Sequence, residues 1–206
     1  MELMTLEHAA MVDLVFDLAG ESLPRDYRRQ LWSLLAAQLP WLEDDPHTGL
    51  HPIRVPPSDG GELLLSRRAK LTLRLPAARA GDAAVLENRE LELAGRALRI
   101  GGSRVRRLEP FPTLKAAFVA AGASDEAALE REVGTLLETL GMGSQRFICG
   151  RMQALAAGAE RLQGSSVVLH DLKPVASLSL QSTGLGPHRH LGCGILVPHK
   201  TISGLD

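Results

Sequence analysis

Apolar and polar residues alternate near the start of the chain. In the segment MVDLVFDLAG, Asp13 and Asp17 fall on one side of an extended chain, and four apolar residues fall on the other: Val12, Leu14, Phe16 and Leu18. This period of two predicts a half-buried strand. The segment ESLPRDYRRQLWSLLAAQLP follows, with an apolar stripe at helical spacing, and it predicts a helix that is capped by Ser22 and ended by Pro40.

A second alternating segment, ELLLSRRAKLTLRLP, combines apolar residues with positive charge. Its apolar residues from Leu63 to Leu75 fall on one parity and predict a side that faces the core. The other parity carries Arg68, Lys70 and Arg74. Alternate residues of a strand lie about 6.7 Å apart, which is close to the separation of successive phosphates in RNA. This side therefore predicts either a ladder of phosphate contacts or a solvated sheet face.

The order of elements restarts after the proposed linker, Pro110 to Pro112. The segments TLKAAFVAAG, RFICGRMQALAAG, GSSVVLHDL and GCGILVP predict strands, while SDEAALEREVGTLLETLG and KPVASLSLQSTG predict helices. In the first half, RELELAG predicts a helical or irregular stretch, and RALRIGG predicts a strand. The order β-α-β-β-α-β then occurs twice, so we expect an α+β protein with two tandem ferredoxin-like domains, residues 11–112 and 113–206.

The charges of the chain are unevenly distributed although its net charge is only −1. Residues 51–115 carry 13 basic and 7 acidic side chains, whereas residues 1–50 carry 3 and 9. Of the 23 basic residues 19 are arginines, which suit bidentate contact with phosphate, and one cluster of them is Arg104, Arg106 and Arg107. The chain has no apolar run of membrane-spanning length and no basic leader, so we expect a soluble cytoplasmic protein without a membrane partner.

Glycines are concentrated near the C-terminus, in GLGPHRHLGCGILVPHK. Four of them occur in two pairs around a basic centre, and the predicted RNA-binding residues of this glycine segment are Gly184, Gly186, His188, Arg189, His190, Gly192 and Gly194. Bare glycines let backbone N–H groups approach an oxyanion closely. A phosphate P-loop lacks support here, because its Gly-Lys-Ser/Thr end is missing. Two alternatives are a plain turn and a zinc site made of His188, His190, Cys193 and His199.

The glycine segment, its lead-in SLSLQSTGLG and its exit GCGILVPHK resemble the CRISPR-associated repeat-processing endoribonucleases of the RAMP superfamily, and most closely their Myxan subtype. The likeness is close over residues 177–200 and looser, through the order of elements, over residues 11–200. It implies metal-independent cleavage of precursor CRISPR RNA within repeats, leaving a 2′,3′-cyclic phosphate and a 5′-OH. It also implies a hairpin repeat RNA as partner, association with other subunits of an effector complex, and no cofactor. The alternatives are a guide-RNA-binding RAMP subunit that does not cut, and a small metalloprotein built on the histidines of the segment.

The same resemblance directs attention to the residues after the first helix, where such enzymes usually carry a catalytic histidine. The segment DDPHTGLHPIR offers His47 and His51, with Arg54 nearby. A histidine can move protons near neutral pH, and an arginine can stabilise a phosphorane. We prefer His51 because it begins a predicted strand. Tyr27 is a further candidate, although it shares a helical stripe with Leu31 and therefore also fits core packing.

Overall fold

The structure is a computed structural model that describes residues 10–55, 62–123, 125–158 and 160–200. The strands of the first half are β1 (Met11–Ala19), β2 (Ser22–Pro24), β3 (Gly49–Leu50), β4 (Glu62–Leu64), β5 (Lys70–Pro76), β6 (Glu90–Leu93) and β7 (Arg96–Arg107). Its helices are α1 (Tyr27–Gln38) and the short α2 (Ala80–Ala83). The second half contains β8 (Leu114–Ala120), α3 (Glu126–Thr139), β9 (Phe147–Cys149), β10 (Gln153–Ala157), β11 (Glu160–Leu169), α4 (Pro174–Thr183) and β12 (Leu196–Pro198).

The second half folds as its hydrophobic pattern predicts. Its antiparallel sheet has the order β10-β11-β8-β12, and β9 also pairs with β11, which is the ferredoxin-like arrangement. Helix α3 buries Leu129, Val133 and Leu137 against this sheet. The N-terminus of α3 is capped by Asp125, whose carboxylate accepts a hydrogen bond of 2.8 Å from the backbone N–H of Ala128. The predicted cap Ser124 lies outside the described residues.

The first half surrounds β1, the central strand of a sheet with the order β3-β5-β1-β7-β6. Strand β1 is antiparallel to β5 on one side and to β7 on the other. Helix α1 covers one face of this sheet with Tyr27, Leu31 and Leu35. The fold class predicted from the sequence, α+β with two ferredoxin-like domains, is confirmed. In the first half the predicted order occurs as β1, α1, β3, β5, α2 and β7, with β2, β4 and β6 as additional strands. The second helix is α2, so its predicted place at RELELAG is wrong.

Three local predictions in the first half are also wrong. Ser22 lies in strand β2, so α1 begins only at Tyr27. The segment ELLLSRRAKLTLRLP is two strands, because the chain turns between Ser66 and Ala69, whose N–H donates to the Ser66 carbonyl at 3.0 Å. RELELAG forms strand β6, in which buried leucines alternate with exposed glutamates. Positive φ angles at Ala94 (51°) and Gly95 (75°) close its hairpin with β7, as a two-residue primed turn requires.

Arginines of the first half hold the second half in place. Arg29 of α1 donates to the carbonyl of Ala157 at 3.1 Å and to the carboxylate of Glu160 at 2.8 Å. Arg74 of β5 donates to the carbonyls of Gln181 (3.0 Å) and Leu196 (2.7 Å). The two sheets share no strand, and the chain passes between them after β7 and before β8. The domain boundary at residue 112 stays a prediction. Within the described ranges, none of the helices has the length and apolar character that crossing a membrane requires.

Candidate active site

A basic cleft of about 620 Å³ opens between the first sheet and the C-terminal elements α4 and β12. Its basic lining residues are Arg54, Arg68, Lys70, Arg74, Arg104, Arg106 and Arg107, while Asp13 and Glu109 are its acidic ones. The sheet topology explains this density of charge. Strands β5 and β7 flank β1, so basic segments that are distant in sequence lie on either side of the same strand. The cleft therefore favours a polyanionic ligand.

His51 lies in this basic cleft, at the end of the short strand β3. Its backbone N–H donates to the carbonyl of Thr72 at 2.9 Å, which continues the pairing of β3 with β5. Its ring Nε2 lies 3.0 Å from Oδ1 of Asp13, within hydrogen-bond distance, and 11% of its side chain is exposed. The backbone and the ring of His51 are therefore both fixed, while part of the ring remains open to a ligand in the cleft.

Asp13 sits opposite Arg74 on β5 and opposite Arg106 on β7 in the strand register. Arg74 donates from Nε to Oδ1 at 2.8 Å and from Nη2 to Oδ2 at 3.1 Å. Arg106 donates from Nη2 to Oδ2 at 2.8 Å. Including His51, four donors share the two oxygens of one buried carboxylate. The alternation of the sequence predicts Asp13 on the solvated side of β1, but the second half covers that side.

Arg74 does not lie on an exposed basic face, although the alternating pattern of its segment predicts one. It is fully buried, and its guanidinium donates to Asp13 and to the carbonyls of Gln181 and Leu196. Because these contacts occupy Nε, Nη1 and Nη2, we correct the prediction that Arg74 contacts phosphate: it joins the two halves behind the cleft. The exposed basic side chains of the cleft are Arg54, Arg68, Arg104, Arg106 and Arg107, with Lys70 half-buried beside Asp17.

The environment of His51 makes its imidazole neutral at neutral pH. Burial lowers the pKa of His51; the hydrogen bond to Asp13 raises it, and the positive charges of Arg74 and Arg106 lower it further. The net pKa lies below the ordinary value of about 6.5. Burial would raise the pKa of Asp13, but its hydrogen bonds and charge interactions with His51 and Arg74 lower it overall. The pair is thus a neutral imidazole bound to a carboxylate, and the imidazole can accept a proton.

Two other catalytic candidates lie outside the cleft. Tyr27 is 2% exposed, burial raises its pKa, and its hydroxyl accepts a hydrogen bond of 2.8 Å from the backbone N–H of Ile53. Tyr27 packs in the core and fixes the chain just after His51, which favours the packing alternative; its catalytic role stays a prediction. His47 lies on an exposed loop, where its N–H donates to Asp45 Oδ1 at 2.8 Å.

Much of the glycine segment is buried where the two halves meet. Gly184, Gly192 and Gly194 have positive φ angles of 76°, 84° and 64°. A Cβ atom at Gly184 would lie 1.8 Å from Nη1 of Arg189, and one at Gly194 would lie 2.1 Å from the carbonyl oxygen of Leu185. The glycines are therefore needed for close packing. The backbone N–H groups of Gly184, Gly192 and Gly194 donate within the protein, to the carbonyls of Leu180, Arg189 and Phe118. Their contact with RNA stays a prediction.

Arg189 is buried as well, with 5% of its surface exposed. Its Nε donates to the carbonyl of His47 at 3.0 Å, and burial lowers its pKa to about 10, so it keeps its charge at neutral pH. Its Nη1 and Nη2 are buried and make no hydrogen bond within the described part of the chain, so the phosphate contact of Arg189 stays a prediction.

The more accessible part of the glycine segment lines a second depression, away from the basic cleft. Gly186, His188 and His190 are half-buried there, and the His190 ring lies 5.8 Å from the Trp32 ring, centroid to centroid. Among the residues that the structure describes, no three His, Cys, Asp or Glu side chains come together as metal ligands do. The zinc alternative therefore has no geometric support in the described part of the chain.

Two ferredoxin-like domains with a histidine in a basic cleft define a protein suited to binding a polyanion such as RNA. The family model described as Cas6, "Cas6 Crispr", matches residues 12–201. The chain belongs to the Cas6 family of CRISPR-associated proteins. The predictions of the family and of the endoribonuclease class are confirmed.

Individual relatives agree with this assignment. The "CRISPR-associated endonuclease Cas6" of Myxococcus xanthus (strain DK1622) is 34% identical over 188 residues, which cover 91% of this chain and 81% of that protein. A solved structure of a Cas6-related protein from Pyrococcus furiosus has a TM-score of 0.64 at 13% identity and covers 91% of this chain and 98% of that one. A structure described as "An RAMP protein binding different RNA substrates" has a TM-score of 0.59 at 15% identity, covering 90% and 98%. The two structures share the fold of this chain.

Proposed function

We propose that this protein cleaves precursor CRISPR RNA within its repeats by a metal-independent mechanism, with His51 as the catalytic base. The observation that carries the proposal is a neutral histidine, held by Asp13, in a cleft whose charged lining residues are mostly arginines. Such a cleft attracts the RNA backbone and places a proton acceptor against it. Membership of the Cas6 family supports repeat RNA as the substrate.

The chemistry needs no group from outside the protein except water. His51 takes the proton of the 2′-OH beside the scissile phosphate, and the O2′–P bond forms as the P–O5′ bond breaks. The leaving O5′ takes a proton from water, and the imidazolium returns its proton to water. The products are a 2′,3′-cyclic phosphate and a 5′-OH. Guanidinium groups in the cleft stabilise the negative charge of the phosphorane.

Recognition of the repeat depends mainly on backbone charge and on RNA shape. Aromatic residues make up 3% of the chain, so stacking of bases on aromatic rings cannot dominate. The exposed basic residues of the cleft instead contact phosphates: Arg54, Arg68, Lys70, Arg104, Arg106 and Arg107. Arg29 and the half-buried residues Gly186, His188 and His190 offer further donors, around the second depression.

An RNA cleavage assay in excess EDTA tests this mechanism. The expected result is undiminished cleavage within the repeat. The 3′ fragment should carry a 5′-OH that polynucleotide kinase labels directly, and the 5′ fragment should end in a 2′,3′-cyclic phosphate that acid opens to a monophosphate. Loss of cleavage in EDTA, restored by magnesium or zinc, would contradict the mechanism. A protein that binds repeat RNA tightly and never cuts it would support the alternative of a binding subunit.

A further inference from the structure

Asp13 lines the basic cleft, although the sequence pattern marks it only as a polar position of an alternating strand. It lies on the middle strand of the first sheet, is 2% exposed, and receives hydrogen bonds from His51, Arg74 and Arg106. Its partners come from three other places in the chain: the end of β3, strand β5 and strand β7. The carboxylate therefore connects His51 to the guanidinium of Arg106 in the cleft.

The contact with Asp13 determines which nitrogen of His51 carries the proton. Oδ1 of Asp13 accepts from Arg74 Nε at 2.8 Å, and an ionised carboxylate has no proton to donate. At 3.0 Å from this oxygen, Nε2 of His51 must therefore be the protonated nitrogen. The lone pair of the neutral ring is then on Nδ1, the nitrogen that remains for a substrate.

The contact with Asp13 also fixes Arg106 beside His51. Arg106 uses Nη2 to bind Oδ2 of the carboxylate at 2.8 Å, yet 60% of its side chain is exposed in the cleft. A guanidinium has five N–H donors, so the anchored group still presents donors to a phosphate. Arg54 also lines the cleft. Within the described part of the chain, however, Asp13 binds His51, Arg74 and Arg106 and not Arg54, so this carboxylate does not anchor Arg54.

We infer that Asp13 is a positioning residue for two catalytic groups: it holds His51 with Nδ1 as the base, and it holds Arg106 as the cation that contacts the scissile phosphate. This inference rests on the proposed function. Nδ1 takes the 2′-OH proton while the O2′–P bond forms and the P–O5′ bond breaks, and Arg106 binds a non-bridging oxygen as its charge grows. The arginine that the sequence suggests for this role, Arg54, contacts RNA outside the reacting phosphate.

The tautomer of His51 can be measured in the protein without RNA. Two-bond ¹H–¹⁵N correlation spectra of histidine-labelled protein report which ring nitrogen is protonated, and His51→Ala identifies the resonance. The expected state at neutral pH is a proton on Nε2 and none on Nδ1. In Asp13→Asn, whose amide NH₂ can face the ring, the expected spectrum shifts toward the opposite tautomer. A wild-type His51 that is protonated on Nδ1 would overturn the inference, and this measurement does not depend on whether Asp13→Asn folds.

Cleavage rates at saturating repeat RNA test both roles. We expect a loss of about 10²-fold or more for Asp13→Asn and of about 10²- to 10³-fold for Arg106→Gln, with RNA affinity weakened far less. Asp13→Glu, which keeps the charge, should recover part of the rate. Arg99→Gln removes the same charge from an exposed position of β7 outside the cleft lining and should cut like the wild type.

The outcomes separate this inference from the proposed function. If the wild type cuts and His51→Ala does not, but Asp13→Asn and Arg106→Gln cut normally, the inference fails and the proposed function stands. A large loss of cleavage rate in Arg54→Gln, with none in Arg106→Gln, would show that Arg54 contacts the scissile phosphate and would overturn the role inferred for Arg106. If the wild type does not cut, both fail together.

Discussion

Arg74 and Asp13 are buried charges, and each is stable in the interior only because the other is there. Removing one partner of such a pair leaves an uncompensated charge. We therefore expect Arg74→Met, which keeps much of the side-chain volume, to lower the free energy of unfolding by about 3–5 kcal/mol. Urea denaturation measures this, with Arg146→Met as the control, because 82% of the Arg146 side chain is exposed. A loss below about 1 kcal/mol, the usual range of a surface pair, would show that the pair is not important for stability.

The lowered pKa of His51 gives the cleavage reaction a specific pH dependence. The neutral imidazole is the active form, and its pKa lies below about 6.5, so the rate should stay level from pH 8 to about 6.5 and fall only in more acidic buffer. The sign for stability is the same: the unfolded chain takes up the proton first as pH falls, so the contribution of His51 to folding is lost in acid. Single-turnover rates at saturating RNA measure the profile. An acid limb centred above about pH 7 would contradict the burial argument.

Sequence patterns locate the histidine of this site but not the residues around it. His51 follows a helix in a basic segment, and a resemblance to known enzymes draws attention to it. Asp13 looks like an ordinary solvated position of an alternating strand, and Arg74 looks like part of a solvated ladder. Their burial depends on strand register and on the packing of the second half, which residue periodicity does not contain.

At the scale of elements, the second half is predictable because each of its segments has one clear period. In the first half, RELELAG carries the alternation of a strand and ends in a two-residue turn, so its hairpin could have been recognised. The division of ELLLSRRAKLTLRLP into β4 and β5 could not be recognised from the sequence. Apolar residues keep alternating with polar ones from Leu63 to Leu75, straight through the turn. The fold class survives these errors, since α1 and the central strand β1 are identified correctly.

We expect a substitution at a glycine of the glycine segment to lower the stability of the fold. Gly192 has a φ of +84°, and a Cβ atom there would lie 3.0 Å from the carbonyl oxygen of Leu50 in the first half. Gly192→Val should therefore lower the free energy of unfolding by about 2 kcal/mol, mainly through backbone strain. Gly102→Val is the matched control, because nothing lies within 4 Å of its added Cβ and its φ is not positive. Equal stability of the two variants would mean that the segment adapts easily.

At the scale of the whole molecule, the two halves are joined by arginines and the cleft lies along that junction. Arg74 reaches from Asp13 in the first sheet to Gln181 in α4 and Leu196 in β12. Gln181 is in the last turn of α4, immediately before the glycine segment. The catalytic candidate and the glycine segment are therefore connected through one buried side chain, and the end of the segment, Val197 and Pro198, lines the basic cleft.

The basic cleft also predicts how RNA binding responds to salt. Each phosphate contact of a single strand contributes about 0.7 to the slope of log K against log salt concentration. The double variant Arg68→Gln/Arg104→Gln should weaken binding of repeat RNA and reduce this slope by up to about 1.4, which is two contacts. Arg146→Gln, on an exposed surface outside the cleft lining, should leave the slope unchanged. A slope that is unaffected in the double variant would place the RNA elsewhere.

The central claim is that His51 is the catalytic base, and single-turnover cleavage of repeat RNA by two histidine variants tests it most directly. His51→Ala should lower the rate constant by about 10²- to 10⁴-fold, the usual contribution of one acid–base group, with RNA affinity nearly unchanged. His47→Ala removes an exposed imidazole four residues earlier, outside the cleft lining, and should cut at close to the wild-type rate. The reverse result, normal cleavage by His51→Ala and none by His47→Ala, would contradict the account.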